Sequence, residues 1–274
     1  MKSLSFGYIP SKKFIRNLVN YFIGFPLFIR RMQYPEIHHA MSYTKNDNVL
    51  DIGCGPGWMS IEASRAGVKS VLGIDHFGSS HFEYLEKIYP NLTFQVMDLN
   101  ELSNLNQNYS KILMSSVLQL VENDQKLLKD CINLLKSNGI LVCTVPIGYP
   151  LIEFMYGNSF FRSVLVTLFK LAPDYQTFKN NCSKKFNIIG KEYYSQDEVC
   201  DLLINSGFRI LSVAPTPQTL GSVMFQILLL FRTITRSNKL TSPFDMILFP
   251  IGYFDRFIKS KYLAIEIMIV AQKP

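Results

Sequence analysis

The chain has 274 residues, a hydrophobic content of 48% and a net charge of +7. This length suits one large α/β domain with elaborations, and the apolar fraction is ample for a core. The five cysteines are scattered without a C-x-x-C pair, and the four histidines form no H-E-x-x-H motif, so the composition favours a cytoplasmic protein with reduced thiols over a disulfide framework or a metal site.

The chain starts with a basic, apolar segment, residues 1–45, which we predict to be helical. Its apolar run is interrupted by Gly24 and Pro26, and two arginines follow without a small-residue cleavage site. These features argue against a removable signal peptide. We therefore expect this segment to be retained, as a lid or a membrane contact in front of a domain at 46–274.

Residues 48–146 alternate short apolar runs with helical patterns, which is typical of a parallel α/β sheet. A helix is predicted over 123–137, with Asn123 or Asp124 as its cap and Gly139 just past its end. The predicted strands of this region are 48–52, 70–74, 92–96, 110–115 and 139–145.

The later part of the chain adds further elements of the same kind. Ser195 to Glu198 reads as a capping box at the start of a helix near 195–206, and strands are predicted at 209–214 and 263–271.

Two long segments do not fit a minimal α/β unit. Residues 147–190 are rich in aromatic side chains, and residues 216–262 contain apolar residues at helical spacing. We predict both to be helical insertions.

The most informative stretch is 49–57, in which an apolar strand enters an acidic, glycine-rich turn. Gly53, Gly55 and Gly57 permit positive φ and remove Cβ atoms that would hold a ligand away from the backbone. Open α/β sheets bind cofactors at such turns. Asp75 ends the next apolar run, where its carboxylate suits the two hydroxyls of a ribose.

These residues, with Asp98 after the third strand, resemble the class I S-adenosylmethionine-dependent methyltransferases. The resemblance covers roughly 48–146, 195–214 and 263–272. It implies a Rossmann-like sheet of seven strands, mostly parallel with the last antiparallel, and helical insertions. S-adenosylmethionine is expected across the carboxyl ends of the first strands.

The resemblance also implies roles for the acidic residues. Asp51 would lie near the positive amino and sulfonium end of the cofactor, and Asp75 would accept hydrogen bonds from both ribose hydroxyls. Asp98 would accept one from the adenine amino group, although a turn acid or helix cap is the alternative. Hydrogen bonds to a charged acceptor contribute about 1.5–3 kcal/mol each.

The remaining implied contacts are apolar or involve the backbone. Met97 and Leu99 would pack against the adenine, His76 would flank the adenosine, and Ser115 would lie where the family's carbonyls meet the methionine amine. The implied cofactor-binding set is Asp51, Gly53, Cys54, Gly55, Gly57, Asp75, His76, Met97, Asp98, Leu99 and Ser115.

No catalytic residue is predicted. Many relatives have a histidine in the stretch matching 117–120, where this chain has Leu120. His38 and His39 precede the first strand, in a segment that could cover the site, but adjacent histidines there are more often surface residues. A general base is needed only where the nucleophile's pKa is high.

A dinucleotide-binding site is the competing interpretation of the glycine-rich turn, with Asp75 on an NAD ribose. That pattern is usually G-x-G-x-x-G. Here the third glycine comes one residue sooner, and Asp51 precedes the first. We therefore favour the methyltransferase.

Nucleic acid is not predicted as a partner. Residues 115–118 lack the Asn/Asp-Pro-Pro-aromatic turn of adenine methyltransferases and the cysteine nucleophile of cytosine-C5 enzymes. The chain also has no arginine-rich stripe with interleaved aromatics.

The distribution of charge favours an anionic membrane surface instead. Residues 1–45 carry seven Lys/Arg against one acid, 46–146 seven against eleven, and 147–274 fourteen against nine. The apolar segments have basic neighbours and are too short to span a bilayer, which takes about 20 residues, so they would lie in the headgroup plane. The alternative is that they cover a substrate pocket or form a dimer interface.

The sequence thus predicts a methyltransferase for a small-molecule or lipid-like acceptor, namely a lipid, quinone or lipid-linked glycan. Two alternatives remain open: a soluble O- or N-methyltransferase of a small aromatic metabolite, and a non-catalytic cofactor-binding regulatory subunit. We expect a cytoplasmic protein with peripheral contact to the inner face of a membrane.

Overall fold

The computed structural model describes residues 28–185, 191, 193–217, 219–235 and 263–274. Most of the predicted N-terminal segment and the second half of the insertion at 216–262 lie outside these residues. The described strands form a single sheet in the order β3-β2-β1-β4-β5-β7-β6. Its strands are β1 Asn48–Ile52, β2 Ser70–Asp75, β3 Leu92–Val96, β4 Tyr109–Ser115, β5 Leu135–Pro146, β6 Arg209–Pro215 and β7 Glu266–Gln272.

Only β7 runs against its neighbours in this sheet. It pairs antiparallel with both β5 and β6, whereas β1 to β5 pair in parallel. The predicted seven-stranded sheet with an antiparallel last strand is therefore confirmed.

Helices flank this sheet and occupy the described parts of the two insertions. Among the described residues, two 3₁₀-helices, Leu99–Asn104 and Leu118–Leu120, follow β3 and β4, and one π-helical turn covers Val164–Leu168. The described α-helices are α1 Phe28–Met41, α2 Trp58–Arg65, α3 Phe82–Ile88, α4 Asp124–Leu134, α5 Pro150–Gly157, α6 Ser159–Ser163, α7 Tyr175–Lys185, α8 Gln196–Asn205 and α9 Thr219–Thr235.

The predicted end of the helix at residue 137 is wrong. Helix α4 begins as predicted, with the Asn123 side chain accepting from the amide of Lys126, but β5 starts at Leu135. Leu135 is buried and pairs with Tyr109 of β4, so sheet pairing replaces the last helical turn. Gly139 consequently lies inside β5.

The predicted capping box is confirmed. The hydroxyl of Ser195 accepts from the amide of Glu198 at 3.2 Å, and the Glu198 carboxylate accepts from the amide of Ser195 at 2.8 Å. Two amide donors at the start of α8 are thereby satisfied.

The two faces of the sheet are covered by different helices. On one face, Leu128 of α4 and Leu203 of α8 pack in the larger hydrophobic cluster. On the other, Ile37 of α1 and Ile61 of α2 pack with Val49 of β1. Trp58 and Met59, at the start of α2, belong to this second cluster.

The insertions have a hydrophobic cluster of their own. Phe178 of α7 and Leu229 of α9 are buried in it with Ile152 of α5. The side chain of Gln226, which is fully buried, accepts from the amides of Leu151 and Ile152 at 2.8 and 3.3 Å. This contact satisfies amides in the first turn of α5, which its own helix leaves unpaired.

Among the described residues, the structure contains no helix with the length and apolar character needed to cross a bilayer.

Candidate functional site

The register of the sheet brings the predicted cofactor residues to one edge. Ile52 at the end of β1 pairs with Ile74 of β2 and with Met114 of β4. The next residues along, Gly53, Asp75 and Ser115, therefore lie side by side. Since neighbouring strands are about 4.8 Å apart, Asp75 and Ser115 are separated by about 10 Å across the turn.

The three glycines of the turn have positive φ, at +67° for Gly53, +53° for Gly55 and +89° for Gly57, but they serve different purposes. A Cβ added to Gly53 would meet Val117 at 2.4 Å, and one on Gly57 would meet Phe94 at 2.6 Å. Those two positions are glycine because the protein itself packs there.

Gly55 is the glycine that is open to a ligand. A Cβ added at this position would meet no protein atom within 4 Å. The expectation that all three glycines allow a ligand to approach the backbone is thus refined: Gly55 has open space beside it, whereas protein side chains occupy the space beside the other two. An adenosine-containing cofactor fits this open backbone beside a carboxylate.

That carboxylate belongs to Asp75, which is half-buried beside Gly55. Its Oδ2 accepts from the amide of Gly55 at 2.8 Å, and its Oδ1 accepts from the amide of Phe77 at 3.0 Å. A carboxylate has about four lone-pair sites, so two remain for ribose hydroxyls. His76 is exposed, and its ring lies 4.6 Å from the ring of Phe77.

Asp51 is buried at the end of β1, only 3% exposed. Its Oδ2 accepts from the hydroxyl of Ser60 at 2.6 Å. Burial raises the pKa of Asp51 to about 7, the Ser60 hydrogen bond opposes this rise, and the nearby Asp75 carboxylate adds to it. Cys54 is also buried, and burial next to these two carboxylates raises the pKa of its thiol.

The predicted adenine side of the site lies at the end of β3. Asp98 is exposed, and its Oδ1 accepts from the amide of Asn100 at 2.8 Å, which caps the 3₁₀-helix. Met97 is buried and Leu99 is half-buried. One oxygen of Asp98 is thus used by the cap, and its contact with adenine stays a prediction.

On the opposite side of the turn, the structure brings together a polar cluster that the sequence did not predict. Nη1 of Arg30 lies 3.3 Å from the hydroxyl of Ser115 and 3.0 Å from that of Ser116. Oε2 of Glu266 accepts from the Ser116 hydroxyl at 2.9 Å and from Nε2 of Gln33 at 2.8 Å.

The sequence contained one signal for this cluster. Glu266 is an acid within an otherwise apolar run, 264–271, and it is buried at 8% exposure. A buried charge requires a partner. Arg30 is one of the two arginines that follow the N-terminal apolar run, and its place in the sequence does not indicate a partner on β7.

His38 and His39, the two histidines that precede the first strand, lie on α1. His38 is half-buried, and burial lowers its pKa, while His39 is exposed. Tyr34 is buried, and burial raises its pKa, an effect that Arg30 opposes. Leu120 is 41% exposed after β4. The structure therefore gives no side chain at that position that can move a proton.

A surface cleft of about 730 Å³ is lined by the first half of β2, the middle of β3 and the first 3₁₀-helix with the residues after it. Of the predicted cofactor residues, its lining includes only Met97. It is therefore distinct from the edge formed by Asp75, Gly55 and Ser115.

Comparison with known proteins gives a family match over most of the chain. A family described as "Methyltransferase domain" matches residues 29–213. The putative methyltransferase 235L of Invertebrate iridescent virus 6 is 34% identical over 103 residues, 37% of this chain and 38% of that protein.

A ubiquinone biosynthesis O-methyltransferase of Coxiella burnetii is 30% identical over 100 residues, 35% of this chain and 42% of that protein. The match thus spans about two fifths of the length of these curated relatives.

The fold is also similar to that of solved structures. A 1,6-didemethyltoxoflavin-N1-methyltransferase from Burkholderia thailandensis, solved with bound 1,6-didemethyltoxoflavin and S-adenosylhomocysteine, aligns with a TM-score of 0.52 at 12% identity. The alignment covers 90% of this chain and 78% of that one. At this identity the likeness shows a shared fold.

Proposed function

This chain belongs to the methyltransferase-domain family, and we propose that it transfers the methyl group of S-adenosylmethionine to an apolar or amphiphilic acceptor, such as a lipid, a quinone or a lipid-linked glycan. The observation that supports binding of this cofactor is the open backbone at Gly55 beside the Asp75 carboxylate. A hydrophobic insertion that reaches the same end of the sheet supports the acceptor class.

The ribose and the adenine each have a suitable neighbour at this edge. Asp75 would hold the ribose hydroxyls, with Met97 and Leu99 against the adenine. When bound, S-adenosylmethionine supplies an activated methyl group for an in-line displacement. The protein contributes alignment and exclusion of water, and orientation alone supplies up to about 7–11 kcal/mol in well-aligned intramolecular cases.

The second insertion, which contains α9, contacts the site through α1. Met32 of α1 packs against Met224 and Leu228 of α9, and Gln33 donates to the carbonyl of Thr216 at 3.4 Å just before α9. These contacts place apolar side chains of α9 near the polar cluster at the end of β4. Apolar side chains that cover a site suit an apolar acceptor better than a charged one, since a buried charge is costly.

The relatives support two acceptor classes. The partial match to a ubiquinone biosynthesis O-methyltransferase agrees with a quinone or another apolar acceptor. The toxoflavin enzyme with the same fold agrees with the second candidate, a small aromatic metabolite.

The direct test is methyl transfer to extracts. Purified protein and S-adenosylmethionine carrying a deuterated methyl group would be incubated with a membrane-lipid extract and, separately, with a water-soluble metabolite pool. We expect a labelled product in the lipid extract. A product found only in the soluble pool would favour the alternative hypothesis, a methyltransferase of a small aromatic metabolite. Cofactor binding without any product would favour a regulatory subunit.

We also propose that the first insertion, residues 147–190, contacts an anionic membrane surface. Five large apolar side chains between residues 154 and 169 are exposed, and Arg162 and Lys170 lie among them, also exposed. The five are Phe154 at 62%, Phe160 at 69%, Phe161 at 39%, Leu168 at 70% and Phe169 at 39% exposure. Aromatic residues flanked by basic ones bind at the interface of anionic bilayers.

Vesicle flotation tests this surface. The protein should float with phosphatidylcholine vesicles that contain phosphatidylglycerol, and less so at high salt, because salt screens the basic residues. Replacing Phe160 and Phe161 with serine should abolish flotation. Ile204→Ser is the matched control, because Ile204 is 54% exposed on α8, outside the insertion. Absence of flotation by the unaltered protein would refute the membrane contact.

A further inference from the structure

We propose that the hydroxyl of Tyr175 donates a hydrogen bond to an oxygen atom of the methyl acceptor, which occupies a recess beside Gly148. The inference rests on the proposed function, because it takes S-adenosylmethionine to lie across the turn at Gly55. It adds one requirement to an otherwise apolar acceptor: the part that enters the site must carry an oxygen that accepts a hydrogen bond, such as a carbonyl, a hydroxyl or an ether.

Gly148 lies at the same edge of the sheet as the proposed cofactor site. The amide of Ile147 donates to the carbonyl of Ile265, just before β7, at 2.8 Å, so the chain stays beside the sheet up to the residue before Gly148. In the strand order, Asp75 ends β2, Gly55 follows the neighbouring β1, and β4 separates that strand from β5, which Gly148 follows. With the adenine towards β3 and the sulfonium towards β1, an acceptor in line with the methyl group would lie on the β5 side.

The backbone at Gly148 has open space beside it, as the backbone at Gly55 does. Gly148 is buried and has a φ of +128°, a conformation that favours glycine. Among the described residues, the only atom within 4 Å of the position that a Cβ would take is the hydroxyl oxygen of Tyr175, at 3.6 Å. This space between the glycine and the hydroxyl is the recess. Protein interiors are close-packed and have few voids, so open space beside a buried backbone indicates room for a ligand.

The Tyr175 hydroxyl has a proton to donate into the recess. Its oxygen accepts from the amide of Tyr149 at 3.1 Å, and within the described part of the chain the hydroxyl makes no other hydrogen bond. A phenolic hydroxyl that accepts one hydrogen bond still has its own O–H to donate. Burial raises the pKa of Tyr175 to about 12, so the group stays protonated at neutral pH. An oxygen of the ligand would satisfy this donor.

The side chain of Tyr175 is held in position by its neighbours. Nζ of Lys179 lies 5.1 Å from the centroid of its ring, and the centroid of the Tyr156 ring lies 6.3 Å away. The amide of Tyr149, the N-cap residue of α5, holds the hydroxyl end. A donor that is already ordered loses little conformational freedom when it binds. The arrangement therefore favours recognition of one oxygen at one place.

The competing explanation is that Tyr175 only supplies an acceptor for the amide of Tyr149 at the start of α5. Gln226 provides the comparison, because its side chain accepts from the amides of Leu151 and Ile152 in the first turn of the same helix. Tyr175→Phe and Gln226→Leu both remove an acceptor from the start of α5. Only Tyr175→Phe also removes the donor in the recess.

Tyr156→Phe is the matched control for the loss of a tyrosine hydroxyl. Tyr156 is a buried tyrosine of the same insertion, in the hydrophobic cluster against which Tyr175 packs. Its hydroxyl is buried and has no hydrogen-bond partner among the described residues. This substitution therefore removes a phenolic oxygen from the insertion without removing a hydrogen bond.

The test measures methyl transfer from S-adenosylmethionine with a deuterated methyl group. The acceptor material is the membrane-lipid extract or the water-soluble metabolite pool, whichever gives a labelled product with the unaltered protein. The amount of this material that gives the half-maximal rate reports KM, and the rate at saturation reports kcat. Calorimetry gives the affinity of each variant for S-adenosylhomocysteine, and scanning calorimetry gives its melting temperature.

We expect Tyr175→Phe to raise KM about three- to tenfold and to change kcat and the affinity for S-adenosylhomocysteine by less than about twofold. Gln226→Leu should lower the melting temperature at least as much, because it leaves two buried amides without an acceptor, but should raise KM by less than about twofold. Tyr156→Phe should leave both KM and kcat within about twofold of the unaltered protein.

An unchanged KM for Tyr175→Phe would overturn the assignment, as would an equal rise of KM in Gln226→Leu or Tyr156→Phe. A change in kcat alone would also overturn it, because a contact that recognises the acceptor acts on KM. If neither pool gave a labelled product, the proposed methyl transfer would fail and the inference with it. If a product formed and Tyr175→Phe behaved like its controls, the inference alone would fail.

Discussion

The amide of Gly55 donates to the Oδ2 of Asp75 at 2.8 Å, so the open glycine of the turn and the acid of the next strand are joined directly. This hydrogen bond holds the carboxylate at the edge where a ribose would lie. It also connects two roles, because the residue proposed to hold the sugar helps to shape the turn. Substitution of Asp75 should therefore affect both cofactor binding and the shape of the turn.

Replacing Asp75 with alanine should weaken binding of S-adenosylhomocysteine by about 1.5–3 kcal/mol, because the ribose hydroxyls lose a charged acceptor. Calorimetry would measure the affinity. Asp130→Ala serves as the control, since Asp130 pairs with Lys126 on α4, away from the turn. An unchanged dissociation constant for Asp75→Ala would remove this residue from the site.

The glycines should respond differently to alanine. Gly53→Ala should lower the melting temperature strongly, because its Cβ would lie 2.4 Å from Val117. Gly55→Ala meets no protein atom within 4 Å, and its cost to stability is the positive φ, about 1–2 kcal/mol. Its cofactor affinity should nevertheless fall. Scanning calorimetry and ligand titration separate the two effects, and a Gly55→Ala protein with normal affinity would contradict the ligand approach proposed there.

The buried carboxyl of Asp51 should make stability depend on pH. Its folded-state pKa of about 7 lies above the ordinary value of 3.8, so the folded protein binds the proton more tightly than the unfolded chain. The stabilisation is complete below pH 3.8 and is lost as the pH rises through about 7. The free energy of unfolding, measured in urea, should be lower at pH 8 than at pH 5 for the unaltered protein. For Asp51→Asn this decrease should be smaller.

The same carboxyl should make cofactor binding depend on pH. A cationic cofactor nearby favours the ionised form, so affinity for S-adenosylmethionine should rise with pH and level off above about pH 7. In Asp51→Asn the affinity should be lower and nearly independent of pH. A pH profile that the substitution does not change would show that Asp51 is not close to the positive charge.

The contact between α9 and α5 allows a test of whether the insertions unfold separately from the sheet. Gln226→Leu removes the acceptor for the buried amides of Leu151 and Ile152 and should destabilise the insertion by about 1–3 kcal/mol. Hydrogen exchange should increase in α5 and remain unchanged in β1 and β4. Uniformly faster exchange across the sheet would instead show that the insertion and the sheet unfold together.

The sheet and its turn were predictable because their signals are local. Each early strand is a short apolar run, and the glycines and Asp75 follow from positions next to one another in the chain. The end of α4 was not predictable, since pairing between Leu135 and Tyr109 decides it.

The polar cluster at the end of β4 was hidden for the same reason. Gln33 and Glu266 are 233 residues apart in sequence, and only the folded sheet brings them together. Which glycine has open space beside it likewise depends on Phe94 of β3 and on Val117 in the segment after β4, and neither is near the turn in sequence.

The position of β7 between β5 and β6 constrains the order of assembly. In the described sheet, β6 has β7 as its strand partner, and β7 follows it in the chain after the second insertion. The first five strands can pair through local crossovers. In contrast, β6 has no strand to pair with until β7 has been synthesised and has joined the sheet. Such an edge is a template for aggregation, so chaperone dependence during synthesis should be greatest before β7 emerges.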